Sequence, residues 1–164
     1  MVTVTRSRVV AGGLALVAAF LVLCFWPREE PGVKDAVTRQ IINMTRAAEE
    51  KNVGAVMEGV SERFKTTDGW NRQDVHRILA GQVLRGQWVR IFTTDIDVHE
   101  VSPTQGDFRA RFIFGRSQAD KLEDLARESV LSAYAIEGTF EKEADGEWRV
   151  VKAKHRQLDP AELL

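Results

Sequence analysis

A chain of 164 residues, 29% charged and 44% hydrophobic, is one domain's worth of ordinary globular composition rather than a disordered segment. The formal charge is −1, and setting aside Arg6 and Arg8, which precede an apolar segment, leaves 21 basic against 24 acidic residues, a net of −3. That mildly acidic remainder carries no electrostatic footprint for nucleic acid. The single cysteine, Cys24, lies inside the apolar segment, so internal disulfides, thiolate catalysis and cysteine-ligated zinc are excluded from everything after it.

Val9 to Trp26 runs for 18 residues without a charge. As a helix it spans about 27 Å, close to the roughly 30 Å hydrocarbon core of a bilayer. A secretory signal peptide is the competing reading, since Arg6 and Arg8 form a basic leader. The exit Leu23-Cys24-Phe25-Trp26-Pro27 is bulky throughout, though, where cleavage asks for small residues, and this favours an uncleaved anchor. Leu21-Val22-Leu23-Cys24 resembles a bacterial lipobox, yet Leu23 stands where that motif wants a small residue, which argues against lipidation. Basic residues before the span, and Glu29 and Glu30 after Arg28, predict residues 1–8 inside, an anchor over 9–26 and the C-terminal part outside. That places the chain in the cytoplasmic membrane as a single-pass protein, its domain periplasmic if the source is Gram-negative. Residues 27–32, with two prolines, read as a linker.

Val33, Val37, Ile41, Met44 and Ala48 recur at helical spacing and predict a long amphipathic helix ending before Asn52. Val53, Val56, Met57 and Val60 predict a second, shorter helix, and Ser61-Glu62-Arg63-Phe64 leads into a polar loop over Lys65 to Trp70. Asn71 with Asp74 three residues on is an N-cap signal for a third helix carrying Val75, Ile78, Leu79 and Val83. Gln87 to Gly115 then reads as two long strands. In the second, Phe108, Ala110, Phe112 and Phe114 share one face and Arg109 and Arg111 the other, around a turn at Ser102 to Asp107. The change of parity between Val89/Ile91 and Ile96/Val98 predicts a bulge near Thr93-Thr94. Leu122, Leu125 and Ala126 suggest an inserted helix. Tyr134, Ile136, Gly138 and Phe140 alternate as a third strand, Asp145-Gly146 turns, and a fourth strand opens at Trp148 and runs to about Gln157, leaving 158–164 as a tail.

The long first helix, Ser61-Glu62-Arg63-Phe64, the Asn71-capped helix, the Gly106-Asp107-Phe108-Arg109-Ala110 strand start and the closing Asp145-Gly146-Glu147-Trp148-Arg149-Val150-Val151 resemble, in this order, the nuclear transport factor 2-like superfamily. The resemblance covers about residues 33–157 and includes SnoaL-like and ketosteroid isomerase-like proteins. It implies an α+β cone of three helices followed by a curved antiparallel sheet, closed around an apolar cavity. It also implies a functionally mixed set, with acid–base enzymes beside binding and dimerisation modules.

An isomerase-type site needs a carboxylate base and an oxyanion donor. The one tyrosine, Tyr134, is the weak catalytic candidate, and no carboxylate matches the base. Asp95, Asp97 and His99 alternate on one strand and could in principle face a divalent ion, but same-face neighbours lie nearly 7 Å apart, so a solvated face is the favoured reading. No phosphate-cradling glycine loop or zinc spacing is present, and no cofactor is called for. Phe64, Trp70, Trp88, Phe112 and Tyr134 are the candidate lining of a ligand cavity. The expected function is therefore a membrane-anchored, non-catalytic module binding a small apolar ligand or an envelope protein, the alternative a small isomerase or dehydratase. A homodimer is expected through the solvated sheet face bearing Arg109, Arg111, Glu137, Thr139 and Glu141.

Overall fold

The computed structural model describes residues 31–84, 90–115 and 130–159. The expected membrane span, Trp88 and the expected helix around Leu122 lie outside the described residues. Among those described, no helix is long and apolar enough to cross a membrane.

Helix α1 (Val33–Glu49) buries Val33, Val37 and Ile41 along one stripe, as its sequence period dictates. Asn52 ends that run and caps the next: its Oδ1 accepts from the Ala55 N–H at 3.1 Å and starts α2 (Val53–Glu58). The chain then departs from expectation. Val60 does not continue a helical stripe, and the expected loop at Lys65 to Trp70 gives up Lys65 and Thr66. Val60–Thr66 is a strand, β1, between the second and third helices, with Val60, Ser61 and Phe64 buried. Asn71 starts α3 (Arg72–Leu84) by a reciprocal cap: its Oδ1 accepts from the Gln73 and Asp74 N–H groups while its own N–H donates to Asp74 Oδ2.

Four long strands follow: β2 (Arg90–Ser102), β3 (Gln105–Gly115), β4 (Val130–Lys142) and β5 (Trp148–Gln157). The sheet order is β1-β5-β4-β3-β2. β2 to β5 are antiparallel neighbours, but β1 joins the edge parallel to β5, so the sheet is mixed rather than purely antiparallel. Several register irregularities interrupt it, two of them inside the long antiparallel strands. The β2–β3 register slips between Thr94 and Asp97, where Asp95 takes a φ of 52°, and the β4–β5 register slips between Thr139 and Phe140.

The core sits between the helices and the inner sheet face, around Val37, Ile41, Phe64, Phe108, Ala110 and Phe140. Phe108 and Phe140 meet with ring centroids 5.2 Å apart. Phe112 and Phe114 share that face but are half-buried. On the outer face, Ile113 and Ala133 form a second, smaller core with Leu158, whose N–H donates to the Ala133 carbonyl at 2.8 Å, so packing continues one residue past the expected last strand.

The turn from α2 into β1 is held by two arginines. Arg72 donates to the Val60 and Met57 carbonyls and Arg149 to the Glu58 carbonyl, each at 3.0 Å, while the Val150 N–H reaches Gly59 O. Carbonyls at a helix C-terminus have no intrahelical donor, and a cation there also meets the negative end of the helix dipole.

Candidate functional site

Between α1, α3 and the inner sheet face lies a cavity of about 240 Å³. Met44, Thr45 and Ala48 of α1, Val75 and Leu79 of α3, and Phe64, Phe108, Phe112, Phe114, Ile136 and Phe140 of the strands line most of it. The α1 residues reach it because Ile41, Met44, Thr45 and Ala48 fall on successive turns of one helical face. Among the described residues, the only polar side chain in the lining is Thr45. Its hydroxyl donates to the Ile41 carbonyl at 3.0 Å and lies 3.2 Å from the Thr93 hydroxyl, so it is already engaged. No described titratable group lines the cavity. Glu49, next to Ala48, spends its carboxylate on the Ile91 N–H at 2.9 Å, covering the edge of β2.

Of the residues expected to line a pocket, Phe64 and Phe112 do so. Tyr134 stands opposite Phe112 in the sheet but beyond the cavity wall, packed edge-on against Phe114 at 5.9 Å. Trp70 is 40% exposed and stacks on His155 at 5.3 Å, outside the cavity. The loop bearing it turns at Gly69, with φ of 88°, and is tied to β5 through the Thr67 N–H and Ala153 O. His155 is 6.2 Å from the Tyr134 ring, and its Nδ1 lies 3.9 Å from Asp68 Oδ2. The α1 contribution was present in the sequence as the Ile41, Met44, Ala48 stripe, but a stripe alone does not say whether it fills space or borders it.

Perturbed titrations lie elsewhere. The Arg149 guanidinium, bound to both Asp145 oxygens at 2.9 and 2.7 Å, holds the Asp145 carboxyl down at about 2. Glu143 is lowered by the buried Ser61 hydroxyl, which donates at 2.7 Å, and then by Arg149. Glu137, on the outer face, is lowered by Lys154 and Arg109, at 2.8 and 3.0 Å. Arg63 and Arg149 are raised by their carboxylate partners, Glu141 first for Arg63 and Asp145 first for Arg149. These are ion-pair networks at the closing hairpin and on the outer face, not an acid–base pair in a pocket. Asp95, Asp97 and His99 are exposed on that outer face, and no three-residue metal cluster occurs among the described residues.

No protein-family model matches the chain, and no curated protein sequence matches it. Solved structures do resemble it. A nuclear transport factor 2-like protein with a cystatin-like fold from Novosphingobium aromaticivorans superposes with a TM-score of 0.59 at 18% identity, over 90% of this chain and 91% of that one. A ketosteroid isomerase-like protein from Erwinia carotovora atroseptica gives 0.55 at 12% identity, over 77% and 96%. A candidate scytalone dehydratase from Novosphingobium aromaticivorans gives 0.52 at 14%, over 76% and 83%. At these identities the likeness speaks for architecture alone: the chain has the α+β cone fold of nuclear transport factor 2-like proteins.

Proposed function

We propose that this chain is a membrane-tethered, extracytoplasmic binding module whose cone holds a small, neutral, apolar molecule. One observation carries the reading: a space of about 240 Å³ whose single polar side chain, among the described residues, is already hydrogen-bonded. A pure assembly module would fill its cone with its own side chains. An apolar void of about 150 Å³ stays dry and accepts benzene. The space here is larger by a little over half, which suits one or two fused rings or a short acyl chain and is too small for a four-ring steroid. The tether rests on the uncharged Val9 to Trp26 stretch and the basic residues before it.

The test is calorimetric titration with a series of monocyclic, bicyclic and four-ring hydrocarbons, alongside Ala48→Leu, which builds extra methyl groups into the cavity. The expected outcome is saturable binding that peaks at the bicyclic probe and falls at least tenfold in the variant, with the melting temperature unchanged or higher. A chain that binds none of the probes, or a variant that binds as well as the parent, would overturn the assignment.

A second reading, a small isomerase or dehydratase, is favoured by one observation: Tyr134, His155 and Asp68 gather just outside the cavity. In that reading Tyr134 is the proton donor, and Tyr134→Phe abolishes turnover.

A further inference from the structure

Helix α3 sets Val75 and Leu79 against the cavity, four residues apart on one face. At about 100° per residue, the position that continues their line is Gln82, within about 20° of Val75 around the axis. It stands some three residues, about 4.5 Å, beyond Leu79. The pattern calls for an aliphatic side chain there, and the sequence supplies a carboxamide. Gln82 is half-buried, and its Oε1 is enclosed without a hydrogen bond to accept. Among the described residues, it is the one buried side-chain nitrogen or oxygen left without a partner. A helical side chain leans back over the turn before it, which for Gln82 is the turn carrying Ile78 and Leu79, on the cavity side.

Such an atom is costly. It has given up water and gained nothing in return, and buried polar atoms in native proteins nearly always have a partner. A trapped water is a poor substitute, because it needs about two to four polar partners of its own. Among the described residues the neighbouring cavity offers only Thr45, whose hydroxyl is already shared between the Ile41 carbonyl and Thr93.

We propose that Gln82 is the ligand's polar contact: its Oε1 accepts a hydrogen bond from a hydroxyl carried by an otherwise apolar molecule in the cavity. This rests on the cavity reading above and narrows it from hydrocarbons in general to neutral alcohols and phenols. The class follows from what surrounds the atom. An acceptor without a donor asks for O–H or N–H, so an ether or a ketone gains nothing from it. Among the described residues no acidic or basic side chain lines the cavity, so neither an ammonium nor a carboxylate would find its counter-charge. A site arranged to bond a hydroxyl discriminates sharply, because an analogue lacking it leaves the protein group unpaired. The same logic explains why an otherwise apolar helix face carries a glutamine at this turn.

The test uses three bicyclic probes of similar shape: indane, 2-indanol, which carries a donor, and 2-methoxyindane, which carries an acceptor alone. Each is titrated calorimetrically, against a detergent blank, into the full chain in mild detergent and into Gln82→Met. That substitution keeps the length of the side chain and removes its amide, and far-ultraviolet circular dichroism confirms the fold. The parent is expected to bind 2-indanol at least tenfold more tightly than 2-methoxyindane, a difference of about 1.4 kcal/mol. In Gln82→Met that advantage disappears while indane binds as before. Equal affinity of the parent for alcohol and ether overturns the proposal without recourse to any variant. An advantage that survives Gln82→Met assigns the hydroxyl to another acceptor and overturns it as well. Either result leaves the cavity reading standing as long as indane binds. A parent that binds none of the three probes removes the cavity reading, and this assignment falls with it.

Discussion

Arg149 shows how much one side chain can hold. It donates to Glu143 and Asp145 and to the Glu58 carbonyl, so it joins the closing hairpin to the end of α2. The linkage to pH has a definite sign. Asp145 sits at about 2 in the folded chain, below the ordinary aspartate value near 3.9, and Glu143 is lowered as well. A depressed carboxyl favours the folded state above its unfolded value, and that contribution is lost as pH falls through the folded one. The melting temperature should therefore hold from neutrality to about pH 4 and fall from there toward pH 2. Asp145→Asn should lower the plateau and flatten that fall, and melting curves across pH 2–7 check both. At this scale the sequence was partly readable. Asp145-Gly146 announced its turn, and Gly146 adopts φ of 86°. Trp70 was misread because aromatic character says nothing of direction, and a left-handed Gly69 sends the loop onto His155 rather than into the cone.

Among the elements, those with local signals were legible and β1 was not. α1 carries its own period and cap boundary, and β3 alternates along its first half. β1 reads Val-Ser-Glu-Arg-Phe-Lys-Thr, with apolar residues four apart that also suit a helix, and its partner β5 lies at the far end of the chain. Parallel pairing across such a separation leaves no local pattern to find. The β4–β5 pairing has a tighter requirement. A Cβ on Gly138 would run into the Lys152 carbonyl, and the Phe108 ring lies 2.8 Å from the same point. Backbone cannot swing aside as a side chain can. Gly138→Ala is expected to cost about 2 kcal/mol or more, by analogy with overpacked cores. Urea unfolding monitored by tryptophan fluorescence measures it, and an unchanged midpoint would contradict the geometry.

For the whole molecule, the three helices were anticipated from spacing, and the cone only as what the family resemblance implied. The mixed sheet and the second core at Leu158 depend on contacts no sequence window contains. The proposed tether makes its own prediction. The chain should stay in the pellet after alkaline carbonate extraction, and a C-terminal alkaline phosphatase fusion should be active while the same fusion to residues 1–8 is not. Extraction into the supernatant would remove the anchor and leave the cavity reading intact. The placement of β1 against β5 has a further bearing, on the order of assembly. The first strand made is completed by the last, so a nascent chain cannot close its sheet while β5 is still inside the ribosome or a translocation channel. Closure has to wait until β5 has been made and has emerged, and a message cut short before Trp148 would yield an open half with nothing to shut it, ready for proteolysis.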